Sequence, residues 1–195
     1  MLESVFVFLA YFAGSIPTGV LLARRAGVNL RAEGSGNVGA TNVARTAGKR
    51  LGVLTLIGDL LKGLIPVLLV RTFDSSVTVV AAVGVAAIAG HVYSIFLSFQ
   101  GGKGVATGFG VLLGFAPEAS LILLAIFVVA AGWTRIVSVG SMAAASSAPV
   151  TIFLFGYPAP IVAAATLISA LILWRHRDNA SRLWAGTEEP FGVRK

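Results

Sequence analysis

Seven apolar stretches follow one another along this chain, and short polar segments separate them. They cover roughly residues 2–23, 51–70, 76–99, 105–116, 119–133, 137–156 and 159–174. A helix that crosses a bilayer needs about 20 apolar residues, and the fourth and fifth runs are short for independent spans. The sequence predicts an all-α membrane protein with seven transmembrane helices, built as a single domain over residues 1–195.

The low content of charged residues supports the membrane class. Only 12% of the 195 residues are charged, against about 25% in an average soluble domain. The net charge of +7 is compatible with nucleic-acid binding, but the cations lie in short loops between apolar runs, so we expect no nucleic-acid partner. The absence of cysteine excludes disulfides and thiolate catalysis. We expect no metal and no cofactor, and nothing in the sequence implies a protein partner.

The positive charges are predicted to lie on one side of the membrane. With alternating crossings, thirteen of the fifteen Lys and Arg residues fall on the same side. The opposite side receives four charged residues: Glu3, Arg71, Asp74 and Glu118. The positive-inside rule then places the N terminus outside and the C terminus, with Arg194 and Lys195, in the cytoplasm. The first apolar run ends in Arg24-Arg25 and lacks a basic n-region, so we expect a retained helix and not a cleaved signal.

The first polar stretch, Gly34 to Arg45, combines glycines with donors that suit an anion. Successive backbone N–H groups in such a loop can form an anion-binding concavity. Ser35 adds a hydroxyl, and Arg45 adds a planar guanidinium that fits phosphate. A flexible loop whose cations only set topology is the alternative. The candidates for substrate binding are Ser35, Gly36, Asn37, Thr41, Asn42 and Arg45.

The second polar stretch holds Lys103 in a glycine turn ahead of a short helix. The Walker pattern fails because Gly104 follows the lysine where Ser or Thr is required, which excludes a P-loop nucleotidase. Backbone N–H groups and the helix dipole would favour an anion here, although a loop that only sets topology is again the alternative. The candidates for substrate binding are Gly101, Gly102, Lys103 and Gly104.

The third polar stretch follows the last apolar run. A basic tail after a final helix usually contacts lipid headgroups, but an amide and a carboxylate pair fit that interpretation less well. The candidates for the site are His176, Asn179, Arg182 and Glu188.

Two ionisable residues, Asp59 and Lys62, lie within the second apolar run, three positions apart. Such residues are costly inside a membrane and therefore mark functional candidates. At this spacing they can partly neutralise each other on one helix face. We predict a structural or site-supporting role for both, and also for His91 in the third run.

Taken together, these stretches resemble the bacterial acyl-phosphate-dependent glycerol-3-phosphate acyltransferases. In chain order the matching motifs are Gly14-Ser15-Ile16-Pro17, the SGNVGATNVAR segment ending at Arg45, Asp59-Leu60-Leu61-Lys62-Gly63, Gly90-His91, the GGKGVAT segment ending at Thr107, Arg175 to Arg182, and Gly186-Thr187-Glu188. The combination of SGN-GATN with GGKG is specific, and the resemblance spans nearly the whole chain. It implies a seven-helix enzyme of the bacterial inner membrane whose site faces the cytoplasm.

The resemblance also implies a reaction. A fatty acyl group would move from acyl phosphate to the sn-1 hydroxyl of glycerol 3-phosphate, giving 1-acylglycerol 3-phosphate (lysophosphatidic acid) and phosphate. This reaction starts phospholipid synthesis, and the partners would be the two substrates and membrane lipid. Because acyl phosphate is already activated, the protein needs mainly to position and neutralise its substrates. We assign the glycerol-phosphate anion to Ser35, Arg45, Lys103, His176, Asn179 and Arg182.

The general base is left open. Three candidates are His176, Glu188 and a phosphate oxygen of a substrate, and we favour the last. Neither histidine is followed five residues later by Asp, as the His-x4-Asp motif of other glycerolipid acyltransferases requires. Ser35 as a covalent nucleophile lacks an evident partner base. The catalytic candidates are therefore Ser35, Lys103, His176, Asn179 and Glu188.

Two other classes of function compete with the enzyme. A transporter of organic phosphates would also use Gly-interrupted helices and cations near the membrane, but the cations lie on one side and no inverted repeat is visible. A structural protein that binds anionic lipid would explain the basic tail. It would not explain the loops of Ser, Asn and Gly.

Overall fold

The computed structural model of the protein describes residues 2–73 and 75–191, so the predictions for Asp74, Arg194 and Lys195 lie outside the described residues. Within these residues all regular structure is helical. The α-helices, in chain order, are α1 (Leu2–Ser15), α2 (Thr18–Arg25), α3 (Ala40–Thr46), α4 (Lys49–Arg71), α5 (Val77–Val92), α6 (Val105–Phe115), α7 (Pro117–Thr134), α8 (Val137–Leu154), α9 (Ala159–Arg175) and α10 (Arg177–Trp184), and a 3-10 turn at Ile95–Leu97 follows α5.

Each of the seven apolar runs contains a helix. Five described segments are long and apolar enough to cross a membrane: α1 with α2, α4, α5 with the turn that follows it, α7 and α8. The pair α9 and α10 adds a sixth if its 52° bend is counted within one span, whereas α6 has only 11 residues. The predicted all-α class is confirmed, while seven crossings and their orientation stay predictions.

The first of two compact units, Met1–Phe115, contains α1 to α6. Its helices approach closely at glycines. A Cβ on Gly14 of α1 would overlap the carbonyl oxygen of Ala87 in α5, and one on Gly90 of α5 would overlap that of Tyr11 in α1. The same holds for Gly63 where α4 meets α6. Small residues at helix contacts let backbones approach closely in membrane proteins.

A break between α1 and α2 exposes backbone carbonyls to side chains from other helices. Pro17 stands in the break and has no N–H to donate. Ser94 Oγ donates to the carbonyl of Ser15 at 2.6 Å, and Lys62 Nζ donates to that of Ile16 at 2.8 Å. Because carbonyls at a helix end lack intrahelical donors, these two side chains help to stabilise the break.

The second unit, Ala116–Lys195, contains α7 to α10. Helix α8 packs against both α7 and α9. At one end of the unit the Tyr157 hydroxyl donates to Glu118 Oε2 at 2.6 Å. At the other end the Phe191 N–H donates to the carbonyl of Arg135 at 2.8 Å, which holds the segment after α10 against the connection between α7 and α8. Each unit is compact by itself, and a single domain over residues 1–195 stays a prediction.

Candidate functional site

The loop between α2 and α3 is held by one buried amide, that of Asn42, which is 2% exposed. Its Oδ1 accepts the Ser35 N–H at 2.9 Å, and its Nδ2 donates to the carbonyls of Asn37 at 2.9 Å and Glu33 at 3.2 Å. These contacts engage both ends of the amide with the loop backbone. They favour a positioning role for Asn42 over the predicted direct contact with substrate.

Two glycines shape the backbone around Ser35. Gly34 and Gly36 adopt φ angles of +59° and +69°, which residues with a Cβ disfavour. A Cβ on Gly34 would also overlap Oδ1 of Asn42. Ser35 lies between them and is exposed, so the turn presents its side chain at the surface of the first unit.

Helix α3 follows this loop and carries Thr41 and Arg45. Asn37 Oδ1 accepts the Gly39 N–H at 3.1 Å immediately before the helix begins. Thr41 and Arg45 are both exposed, and residues four positions apart lie on one helix face. The arginine is therefore accessible to an anion that arrives from water.

The glycines of the second loop pack against the end of α5. The N–H groups of Gly101 and Gly102 donate to the carbonyls of Val92 at 2.9 Å and His91 at 3.2 Å. A Cβ on Gly101 would overlap the His91 carbonyl, and one on Gly102 would overlap the His91 imidazole at Nε2. Since both N–H groups are engaged, these glycines serve close packing better than the predicted contact with substrate.

Lys103 and Gly104 connect this loop to α6. Gly104 has a φ of +82°, and its carbonyl accepts the Gly108 N–H at 2.6 Å in the first turn. Lys103 is half-buried directly before that turn. A lysine beside a helix N terminus favours an anion, so the predicted assignment of these two residues is retained.

Arg31 joins the two loops, and sequence analysis used it only for topology. Its Nη2 donates to the carbonyl of Gln100, and its Nη1 donates to that of Gly36 at 3.5 Å. The residue thus ties the Ser35 loop to the residue before Gly101. The available signal was its position, since it lies three residues before the polar stretch that carries the assigned donors.

A buried polar cluster lies behind the second loop and consists of Asp59, Lys62, His91 and Thr107. Lys62 Nζ is 2.8 Å from Asp59 Oδ1, with side chains 7% and 5% exposed, so the predicted pairing is observed. Thr107 Oγ1 donates to the Asp59 carbonyl at 2.8 Å and lies 3.0 Å from His91 Nδ1. Because the hydroxyl has one proton, His91 Nδ1 is the donor in the second bond. The opposite edge of the imidazole faces Gly102, so the cluster supports that loop.

A small cavity lies beside this cluster in the first unit. Its polar lining consists of Ser15, Thr18, Asp59, Lys62, His91 and Ser94. The three cluster residues in this lining already bond one another or the backbone. Gly102 also lines the cavity, whereas Ser35, Arg45 and Lys103 are absent from the described lining.

His176 stands at the junction of α9 and α10, where the helix axis turns by 52°. The residue is 3% exposed. Its Nδ1 lies 2.8 Å from the carbonyl of Ile172, and because a carbonyl only accepts, Nδ1 carries a proton. Its own carbonyl accepts the Ala180 N–H at 2.9 Å and begins α10. The ring therefore helps to fix the bend.

Glu188 holds the segment after α10 through a network of three donors. Its Oε1 accepts from Ser138 Oγ at 2.7 Å and from the Asn179 amide, and its Oε2 accepts from Arg182 Nε at 2.7 Å. Burial raises the pKa of this carboxyl, but these hydrogen bonds and the Arg182 charge outweigh burial and leave the pKa below its ordinary value. A carboxylate with a lowered pKa is a weak general base, so the geometry favours a clamp over the predicted catalytic role.

A family profile described as glycerol-3-phosphate acyltransferase matches residues 4–186, which include both loops, the buried cluster and the three residues that donate to Glu188, but not Glu188 itself. The chain belongs to the glycerol-3-phosphate acyltransferase family. Its relative in Geotalea daltonii is 50% identical over 189 residues, 97% of each chain, and its relative in Geobacter metallireducens is 52% identical over 192 residues, 98% of each chain. The family resemblance read from the motifs is thus confirmed.

Two solved structures are similar to this acyltransferase over nearly its whole length. Both are of PlsY (YgiH), an integral membrane glycerol 3-phosphate acyltransferase. The glycerol 3-phosphate form gives a TM-score of 0.95 at 43% identity, and the lysophosphatidic acid form gives 0.92 at 42%. Each comparison covers 98% of this chain and 96% of the other. A multi-pass integral membrane protein is therefore confirmed.

The site residues of this acyltransferase fall into two groups within the described chain. Ser35, Thr41, Arg45, Lys103 and Arg182 are hydrogen-bond donors with accessible side chains, whereas the amides and glycines mostly hold backbone. Ser138, which donates to Glu188, was not predicted because it lies in no distinguishing motif. Within residues 2–73 and 75–191 no group of three His, Asp or Glu residues is arranged to hold a metal ion. The catalytic and binding roles stay predictions.

Proposed function

We propose that the protein transfers a fatty acyl group from acyl phosphate to the sn-1 hydroxyl of glycerol 3-phosphate. The products would be 1-acylglycerol 3-phosphate and inorganic phosphate. The observation that carries the proposal is the match, at 43% identity over 98% of the chain, to an acyltransferase structure in its glycerol 3-phosphate form. The second form of that relative, with lysophosphatidic acid, supports the same reaction from the product side.

The chemical step needs little activation from protein side chains. The substrate hydroxyl oxygen attacks the acyl carbonyl carbon, a new ester C–O bond forms, and the C–O bond to phosphate breaks. Phosphate is already a good leaving group in this mixed anhydride. The hydroxyl proton passes to a phosphate oxygen, and the two products are lysophosphatidic acid and inorganic phosphate. The protein then contributes position and positive charge.

Substrate assistance is supported by the state of the two protein bases. Glu188 accepts three hydrogen bonds and has a lowered pKa. His176 is almost fully buried and bonds Ile172 through Nδ1. A lowered pKa makes Glu188 a weak general base, and burial keeps the His176 ring away from a substrate that arrives from water. These observations favour a substrate phosphate oxygen among the three candidates.

The anion-binding role is assigned to the accessible cations and hydroxyl. Ser35 and Arg45 are exposed on the first loop and α3, and Lys103 stands at the start of α6. Arg182 is 43% exposed and uses Nε for Glu188, so its Nη groups are the atoms we assign to an anion. The planar guanidinium of an arginine can bond a phosphate through two N–H groups at once, whereas the ammonium group of a lysine acts as a point charge.

Two substitutions test this assignment with a matched control. Arg45→Ala should lower kcat/KM for glycerol 3-phosphate about 10- to 100-fold, because a hydrogen bond to a charged group contributes roughly 1.5–3 kcal/mol. Arg50→Ala is the control, since Arg50 is an exposed cation in the first turn of α4 that we assign only to topology. Equal activity of both variants would contradict the assignment.

The donor is tested directly with purified protein in detergent. Labelled glycerol 3-phosphate would be supplied with acyl phosphate, acyl-CoA or acyl carrier protein, each of the same chain length. We expect labelled lysophosphatidate and stoichiometric phosphate release with acyl phosphate alone. Product formed faster from a thioester would refute the proposed donor. Uptake of the label into sealed vesicles without any product would instead indicate a transporter.

The proposed topology has seven crossings in the bacterial inner membrane, with the N terminus outside and the active site facing the cytoplasm. Because the chain has no cysteine, single cysteines can report sidedness without a background signal. Ala32→Cys should react with a membrane-impermeant maleimide only after the cells are opened. Ser75→Cys should react in intact cells, and the reverse pattern would overturn the orientation.

A further inference from the structure

The three tryptophans of the chain lie at one end of the second unit and are exposed. Trp133, Trp174 and Trp184 are 91%, 48% and 96% exposed. The first two stand one residue before the ends of α7 and α9, and the third ends α10. The bond from Ser138 to Glu188 joins the start of α8 to the segment after α10. The end of α7, the start of α8 and the end of α9 therefore meet at the same end of this unit.

Two of these tryptophans share an outer face with an arginine. Arg177 and Trp184 are seven positions apart on α10, a spacing that keeps side chains on one helix face, and Trp174 lies near the end of α9. The Arg177 guanidinium lies 4.7 Å from the Trp174 ring centroid. The opposite face of α10 carries Asn179, which is 5% exposed and bonds Glu188. Helix α10 thus has a polar face turned to the protein and an aromatic, cationic face turned outwards.

The distance along α7 relates this end to a membrane. Fifteen helical steps separate Glu118 from Trp133, which is about 22 Å at 1.5 Å per residue. The exposed side chains between them include Leu121, Val128 and Val129. This apolar band is shorter than a hydrocarbon core, which is about 30 Å thick, so Trp133 lies no farther out than the edge of the core when Glu118 lies at the opposite edge.

We propose that the outer face of α10, with Arg177 and Trp184, binds the anionic headgroup region of the bilayer together with Trp174 of α9 and Trp133 of α7. Tryptophan prefers this depth because its ring is apolar and its N–H is polar. Arginine adds attraction to phospholipids of negative charge. The inner face of α10 is then held at the membrane surface, where lipid-borne and water-borne molecules meet. This inference depends on the membrane location and not on the proposed reaction.

Three single-tryptophan proteins test the inference, because the chain has only three tryptophans. Pairs of Trp→Phe substitutions leave Trp133, Trp174 or Trp184 alone in vesicles of phosphatidylcholine and phosphatidylglycerol. Bromine on the acyl chain close to the headgroup should quench each tryptophan more strongly than bromine near the chain end. Acrylamide in the water should quench weakly. Circular dichroism in the same vesicles checks that each variant is folded.

The results that overturn the inference are distinct. If Trp184 is quenched by acrylamide and not by brominated lipid, its face lies in water. If neither reagent quenches it, a second copy or another protein covers the face. The role of the Arg177 charge is tested with Arg177→Gln in the protein that retains only Trp184. Adding phosphatidylglycerol should increase the quenching of Trp184 by brominated lipid, and the substitution should reduce this increase at least twofold. Lys49→Gln removes the same charge elsewhere, and an equal effect of both substitutions would refute the role of Arg177.

Discussion

Replacing Asn42 with alanine removes four hydrogen bonds from the loop that carries Ser35, and we expect a higher KM for glycerol 3-phosphate. The amide accepts one N–H, and the two protons of Nδ2 are shared among three carbonyls, over distances of 2.9, 2.9, 3.2 and 3.4 Å. A hydrogen bond contributes about 0.5–1.5 kcal/mol net. With full weight for the two short bonds and about half for the two long ones, the loss is about 3 kcal/mol.

That energy corresponds to roughly a hundredfold change in the equilibrium constant for ordering the loop, since 1.4 kcal/mol is a factor of ten. Apparent affinity falls with the fraction of protein that is competent to bind. Arg31 still holds Gly36 in the variant, so part of the loop order persists. We therefore expect KM to rise at least tenfold and kcat to change less.

Steady-state kinetics and hydrogen exchange of residues 30–37 check this prediction together. Asn29→Ala is the matched control, because Asn29 is exposed in the same connection and makes one side-chain bond as acceptor, to the Arg31 N–H at 3.2 Å. It should stay within twofold of the parent protein. Normal KM and unchanged exchange in Asn42→Ala would refute the positioning role. A lower kcat at unchanged KM would instead indicate that Asn42 acts in the chemical step.

Three other contacts give predictions for the stability of the folded protein. Gly102→Ala places a Cβ against a buried imidazole and should lower the melting temperature in detergent, whereas Gly132→Ala, with nothing within 4 Å, should be neutral or stabilising by about 0.5–1 kcal/mol. Lys62→Met leaves a buried carboxylate unpaired and should cost about 3–5 kcal/mol, and adding Asp59→Asn should recover much of that loss. The lowered pKa of Glu188 stabilises the folded state fully above its unfolded pKa, near 4.5, and this contribution disappears as the pH falls through the folded pKa. Glu188→Gln should therefore lower the melting temperature at neutral pH. It should also make the melting temperature less dependent on pH below the unfolded pKa of the carboxyl.

Helices and local pairs were predictable because the signals lie close together in the chain. Each apolar run became a helix, since a membrane leaves an isolated segment no other way to satisfy its backbone. The pairing of Asp59 with Lys62 followed from a spacing of three on one helix face. The third run is the partial exception, since α5 ends at Val92 and a turn with positive φ at Ser98 and Phe99 leads into the second loop.

The long-range contacts were not predictable from one sequence. Arg31 bonds a carbonyl 69 positions away, and Ser138 bonds a carboxylate 50 positions away. No local pattern carries such a pairing. The glycines of the second loop show the same limit, because a sequence cannot distinguish a glycine that admits a ligand from one that admits a neighbouring helix. Gly101 and Gly102 contact α5 through hydrogen bonds that only the fold reveals.

The pairing of Arg182 with Glu188 separates two accounts of how the site binds an anion. If net positive charge alone determined affinity, removing the carboxylate in Glu188→Gln would lower KM for glycerol 3-phosphate. If the geometry of the guanidinium matters more, the same change should raise KM, because the 2.7 Å bond to Nε orients the Nη groups of a side chain that is 43% exposed. An exposed arginine loses rotamer freedom when it binds, and a clamp that fixes it beforehand reduces that loss. We expect a higher KM in this variant at every salt concentration, and a KM below that of the parent protein would show that charge outweighs orientation.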